Sequence, residues 1–163
     1  MAATRKQKKI FQSAEALARH LGPVRARGKK LVTTNGCFDI IHAGHVQYLY
    51  EAKSFGDILA VGINADETVR RLKGPGRPIQ SARERCLIVS ALEMVDAVFI
   101  FPEPDPVAFL ETLKPDVHVK GGDYTADIIE KAAVEHNGGV VKIVGVFPDR
   151  STSGIVRKIH AMR

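Results

Sequence analysis

From residue 30 onward the chain alternates short β-branched apolar runs with longer segments whose apolar positions recur at helical spacing. That alternation predicts a parallel sheet covered by helices. Lys30–Asn35 reads as a first strand. Gly44–Phe55 reads as a helix, with Val46, Leu49, Tyr50 and Lys53 spaced to share one buried face and Gly56 ending it as a C-terminal glycine. Asp57–Asn64 is almost continuously apolar, the pattern of a strand covered on both faces. Asp66–Leu72 predicts a short helix, and Lys73-Gly74-Pro75-Gly76-Arg77-Pro78 a loop. Ser81, with Glu84 three residues later, forms the capping box of a helix that runs to about Glu93. Strands at Asp96–Phe101, Asp116–Lys120 and Val140–Val146 follow, interleaved with helices at Asp105–Leu113 and Ala126–His136 and closed by a last helix from Ser153. Five strands and their helices describe an α/β fold, a Rossmann-like doubly wound parallel sheet whose ligands bind beyond the carboxyl ends of the strands.

Composition narrows the class. A length of 163 residues suits one catalytic domain. The longest apolar runs, Leu87–Leu92 and Val95–Phe101, fall far short of the roughly 20 residues a spanning helix needs, so no membrane partner is expected. Arg5, Lys6, Lys8 and Lys9 lead into an amphipathic stretch, not the apolar core of a secretory signal. Two cysteines, Cys37 and Cys86, make no disulfide framework, and a reducing cytoplasm is expected. The formal charge of +6 is uneven: residues 1 to 30 hold nine Lys or Arg and one acid, Glu15, whereas the rest hold 15 basic and 17 acidic side chains. The chain therefore divides into a basic extension with a short helix, residues 1–27, and a domain, residues 28–163, whose surface does not favour nucleic acid. The extension reads as a solvated terminus or, alternatively, as the arm of a non-catalytic nucleic-acid or partner-binding module.

Candidate chemistry gathers at strand ends. After the first strand, Asn35-Gly36-Cys37-Phe38-Asp39 make a turn, and His42-Ala43-Gly44-His45 open the helix. His42 and His45, three apart, lie on one face of its first turn, where free N–H groups and the positive helix end favour a phosphate. Gly44 lets a nucleotide approach the backbone. The same residues also read as a helix cap with a packed histidine, or as a zinc site of Cys37, Asp39, His42 and His45. Lys73 and Arg77, on a Gly/Pro loop, can swing over a polyphosphate or simply face solvent. Lys120-Gly121-Gly122-Asp123 admit a nucleotide or sugar to the backbone, or form a tight turn. Ser151, Thr152 and Ser153 can grip departing phosphates, or cap the last helix. Asp39 can bind sugar hydroxyls, support a magnesium shell through water, or shape its loop as an Asx turn. Arg85 is a nucleotide or substrate contact, or a surface charge.

The run from Thr34 to His45 resembles the cytidylyltransferase-like branch of the His-x-Gly-His nucleotidyltransferase superfamily. With Val61-Gly62-Ile63-Asn64-Ala65-Asp66, the Arg70–Pro78 run, Glu84-Arg85, Val119-Lys120-Gly121-Gly122-Asp123-Tyr124 and Ser151-Thr152-Ser153, it is similar to the adenylyltransferases that form ADP-heptose from ATP and D-glycero-β-D-manno-heptose 1-phosphate, over roughly residues 28 to 160. The resemblance implies His42, His45 and Lys73 as catalytic residues. It implies nucleotide contacts from Asn35, Gly36, Cys37, Phe38, Gly44, Asn64, Arg77, Gly121, Gly122, Asp123, Ser151, Thr152 and Ser153, and substrate contacts from Asp39, Lys120 and Arg85. It further implies ATP and a sugar 1-phosphate as ligands, Mg2+ held through phosphates and water with no direct protein ligand, and a homo-oligomer. Cytidylyltransferases of glycerol 3-phosphate or another alcohol phosphate share much of this pattern. They carry an Arg-Thr-Glu-Gly run where this chain has Val146-Phe147-Pro148-Asp149. Ser153 stands where the heptose enzymes usually have Thr, which keeps the hydroxyl.

Overall fold

The computed structural model describes residues 9–122, 128–145 and 151–162. In chain order the elements are β1 (Ile10–Phe11), α1 (Ala14–Arg25), β2 (Leu31–Gly36), α2 (Ala43–Ser54), β3 (Ile58–Asn64), α3 (Asp66–Lys73), α4 (Ala82–Ser90), β4 (Ala97–Phe101), α5 (Val107–Leu113), β5 (Val117–Gly121), α6 (Ile129–His136), β6 (Val140–Val144) and α7 (Thr152–His160). The six strands form one parallel sheet in the order β1-β4-β3-β2-β5-β6. Among the described residues no helix is long and apolar enough to cross a membrane.

Alternation along each strand splits the core into two layers, as expected for a sheet covered on both faces. Val32, Leu59, Val61, Val98 and Val119 join Leu49 and Ala52 of α2 and Cys86 and Val89 of α4 on one side. Leu31, Ala60, Phe99 and Phe101 join Leu17 and Leu21 of α1, Phe109 and Leu110 of α5, and Val134 of α6 on the other. Asp57, Asp96 and Asp116, which precede β3, β4 and β5, turn their carboxylates onto the backbone amides of Lys30, Leu59 and Leu31 respectively. These aspartates pin the register at the edge of the sheet opposite the candidate chemistry.

The sheet has one strand more than the five expected. Ile10 and Phe11 pair with Val98 and Phe99, an edge strand of two residues, too short for any period to show in the sequence. Lys9 Nζ donates to the carbonyls of Leu92 and Val95 beside it. β1 and α1 thus share the sheet and its core, and a boundary at residue 27 does not part a tail from a domain.

Two details of α2 also differ. Leu49 and Ala52 supply its buried face, while Tyr50 is half exposed. Gly56 has no left-handed backbone; the helix is capped at Phe55 in an ordinary helical conformation. Glycine is needed at 56 because a Cβ there would stand 2.7 Å from Val32 Cγ2 and 3.0 Å from Lys30 O, where the chain returns against β2.

Candidate functional site

Going out from β2, the chain adds β3 and β4 on one side, then crosses to β5 on the other, so the strand order reverses between β2 and β5. A sheet of this kind binds ligands at that reversal, beyond the carboxyl ends. A cavity of about 400 Å³ opens there, within the range of about 300–1,000 Å³ common for small-molecule sites.

The β2–α2 turn forms its floor. Phe38 takes a left-handed backbone, φ 48°, which costs an ordinary residue roughly 1–2 kcal/mol. Burial of its ring offsets that cost, and the ring lies 5.3 Å from that of His45. Asn35, Gly36, Cys37, Phe38, Asp39 and Gly44 all line the cavity. His42 is the N-cap residue of α2, but its side chain makes no capping bond. The His42 and His45 rings instead stack, with centroids 3.9 Å apart, and both border the cavity. Burial, reinforced by the neighbouring His42, pulls the His45 imidazole down to about 4, so it is neutral at neutral pH. His45 Nδ1 and Asn35 Oδ1 are buried with no hydrogen-bond partner among the described residues. Polar atoms left so at a cavity wall are ones a ligand can satisfy.

Lys73 and Arg77 reach the cavity from one side. Lys73 is the last residue of α3 and not part of the loop. Arg77 does not swing freely, because its Nε donates to Asp39 at 2.5 Å. From the opposite side comes the N-terminus of α7, with Ser151, Thr152 and Ser153. Ser151 accepts from the Gly154 amide as a helix cap, and Thr152 Oγ1 donates to Ile40 O, tying α7 to the β2–α2 turn. Gly121 closes the wall at the end of β5.

Tyr48 also lines the cavity, and sequence reasoning missed it. It stands three residues after His45, on the same helix face, and that spacing was the available signal. Its hydroxyl meets Thr34 Oγ1 at 2.6 Å and donates to Val119 O at 2.8 Å, joining β2 to β5 across the reversal. A Cβ on Gly121 would come within 3.1 Å of its ring, so glycine is required there by close approach.

Four residues expected to contact ligand do not line this cavity. The Arg85 guanidinium is fully buried in α4 and donates to the carbonyls of Gln80, Cys37 and Asn64 and to Asp66, so it braces the strand ends from behind. Asn64 is buried, its carbonyl taken by that arginine. Lys120 pairs with the buried Glu130 of α6. The Gly122 amide continues the β5–β6 ladder by donating to Val144 O. Asp123 lies outside the described residues, as does the Val146–Asp149 run. Asp39 also differs from expectation: its carboxylate is spent on Arg77 and the amides of Ile79 and Gln80, not offered to sugar hydroxyls.

Nor is the zinc alternative formed. Among the described residues no three His, Cys, Asp or Glu side chains gather to hold a metal ion. Asp39 is committed to Arg77.

Residues 33–159 match a family described as cytidylyltransferase-like. The chain is 50% identical over 150 residues to a bifunctional protein HldE of Geobacter metallireducens, covering 91% of this chain and 31% of that one. It is 51% identical over 137 residues to the protein of the same name from Wolinella succinogenes, covering 83% of this chain and 28% of the relative. The chain thus spans only about a third of the length of these relatives. Among solved structures it is similar to a lipopolysaccharide core biosynthesis protein from Thermoplasma volcanium, with a TM-score of 0.62 and 34% identity over 74% of this chain and 98% of that one. A pantoate-beta-alanine ligase from Francisella tularensis shares the fold alone, with a TM-score of 0.60 at 15% identity over 88% of this chain and 68% of that one. With its strand-end turn, paired histidines and most of its length matching one family, the chain belongs to the cytidylyltransferase-like family.

Proposed function

We propose that this protein is a nucleotidyltransferase that moves AMP from ATP onto D-glycero-β-D-manno-heptose 1-phosphate, giving ADP-heptose and pyrophosphate. One observation carries the reading. Stacked histidines, two loop-side cations and a hydroxyl-bearing helix N-terminus converge on one cavity at the strand-order reversal. The sugar half is supported by the motif resemblance and by the likeness to HldE proteins and to a lipopolysaccharide core biosynthesis protein.

The acceptor's phosphate oxygen attacks the α-phosphorus of ATP in line as the bond to the β-phosphate oxygen breaks, and pyrophosphate leaves. A phosphate monoester is already ionised near neutral pH, so no protein base has to take a proton. Such displacements are driven by positioning and by stabilisation of charge on the equatorial oxygens. His42 and His45 supply donors at the α-phosphate, and the negative charge of the nucleotide favours the protonated imidazole that burial alone disfavours. Lys73 adds a point charge, and the N-terminus of α7 holds the leaving phosphates. The nucleotide enters as its magnesium complex. The carboxylate lining the cavity, Asp39, is already committed, so the ion would ride on phosphate and water.

The test is to incubate the protein with magnesium, ATP or CTP, and a panel of sugar and polyol phosphates, and follow pyrophosphate. Release with ATP and the heptose phosphate is expected. Release with CTP and glycerol 3-phosphate instead would replace the substrate assignment, and no release with any pair would end the enzyme reading. The working form we propose is a cytoplasmic homo-oligomer. Exposure of Ile159 in α7, a helix with no buried residue, and of Met162 just beyond its end supports the oligomer, and sedimentation of the intact chain would check it.

A further inference from the structure

Asp39 lies at the cavity floor and is 2% exposed. Its two oxygens accept from Arg77 Nε at 2.5 Å, from the Ile79 amide at 2.8 and 3.0 Å and from the Gln80 amide at 3.0 Å. Three N–H groups thus hold the carboxylate, that of Ile79 shared between both oxygens, and all three belong to the protein. Burial pushes this carboxyl up, but the amides of Gln80 and Ile79 and the Arg77 guanidinium outweigh it, and the group stays ionised.

Arg77 is the other half of the arrangement. Its side chain is mostly buried and lines the cavity, yet only Nε is spent on Asp39. Nη1 and Nη2 have no partner among the described residues. A guanidinium is planar and its donors form a rigid fork, so anchoring Nε–H on a buried carboxylate fixes the plane of the whole group. The loop is held too, because Gln80 gives its amide to Asp39 and its carbonyl to Arg85.

We propose that Asp39 is a positioning residue for anion binding: it touches no substrate, and through Arg77 Nε it aims the Nη edge of Arg77 at a phosphate group in the cavity. The phosphate belongs to the triphosphate or to the acceptor. The inference rests on the nucleotidyl-transfer reading for its ligand, and its test is built so that the two can fail separately.

Asp39→Asn, Arg77→Lys and the double variant are compared with the wild type for both KM values, for melting temperature, and for affinity toward inorganic pyrophosphate and inorganic phosphate by calorimetry. In Asp39→Asn one carboxylate acceptor becomes an N–H donor that opposes the remaining donors around it, and Arg77 loses its anchor. Arg77→Lys keeps the charge but has no second edge. Each single variant should raise one KM on the order of 10-fold, and the double variant should be no worse than the poorer single. A rise for MgATP assigns the phosphate to the nucleotide, a rise for the sugar phosphate to the acceptor. A folded Asp39→Asn protein with both KM values unchanged overturns the proposal, as do effects that simply multiply in the double variant. If Asp39→Asn does not fold, Arg77→Lys and Arg77→Ala decide, and wild-type KM values in both overturn it. Should the wild type release no pyrophosphate with any substrate pair, the transfer reading fails by itself. The calorimetric arm then judges the inference, with weaker binding of pyrophosphate or phosphate by Arg77→Lys expected and equal binding of both overturning it.

Discussion

Replacing Arg85 with lysine removes a fork that holds three backbone segments at once. Its Nε donates to Gln80 O, Nη1 to Cys37 O, and Nη2 to both Asn64 O and Asp66 Oδ1, and none of the side chain is exposed. A lysine ammonium reaches one or two of these acceptors. At least two buried carbonyls then lose their donor, at about 1–3 kcal/mol each, and a compact cation replaces a filled planar one. The expected loss is about 3–5 kcal/mol, the range for breaking a buried charge's network. For a chain of this size that corresponds to a fall in Tm on the order of 10 °C. Urea denaturation with a linear extrapolation would measure it, with Arg83→Ala, an exposed neighbour on α4, as a control expected within about 0.5 kcal/mol of wild type. The competing view, that Arg85 is a substrate contact, predicts the opposite pattern: a raised KM in a protein of unchanged stability. An Arg85→Lys protein within about 1 kcal/mol of wild type would refute the bracing argument.

His45→Ala should lower kcat on the order of 10²-fold if its donor acts on the transition state, as measured by pyrophosphate release; near-normal turnover in a folded variant would remove it from the mechanism. Burial holds His118 down to about 3 and His45 to about 4, whereas in the unfolded chain both take up a proton near pH 6.5. Their contribution to stability is therefore complete above pH 6.5 and is lost as the pH falls toward 4, about 2 kcal/mol for each by pH 5. A denaturation midpoint that does not move between pH 7.5 and pH 5 would contradict that. Gly121→Ala sets a Cβ 3.1 Å from the Tyr48 ring, so either the ring or the end of β5 shifts. A loss of about 1–3 kcal/mol is expected, with a raised KM for the nucleotide, and Tyr48→Leu in the same chain should restore part of both.

Much of this protein was legible before any coordinates. Short apolar and β-branched runs between segments of helical period located β2 to β6 and the helices between them, most clearly β3, which is buried along its whole length and reads as an almost unbroken apolar run. Local chemistry located the ends: Ser81 and Glu84 form the capping box that their spacing implied, and Ser151 caps α7. The sequence also named most of the cavity wall, since a doubly wound sheet sends every strand's carboxyl end to the same edge. Tertiary structure decided what the sequence could not order by distance. A two-residue edge strand has no period, so β1 appeared only through its pairing with β4. Arg85 looked like a surface charge or a ligand contact because burial of its fork depends on three carbonyls brought from positions 37, 64 and 80. Asp39 and Arg77, 38 residues apart, each read as a ligand contact of its own; only the fold shows that the carboxylate is spent on the arginine. Residue type and spacing determine which groups can act at the strand ends, and three-dimensional proximity determines which of them remain available.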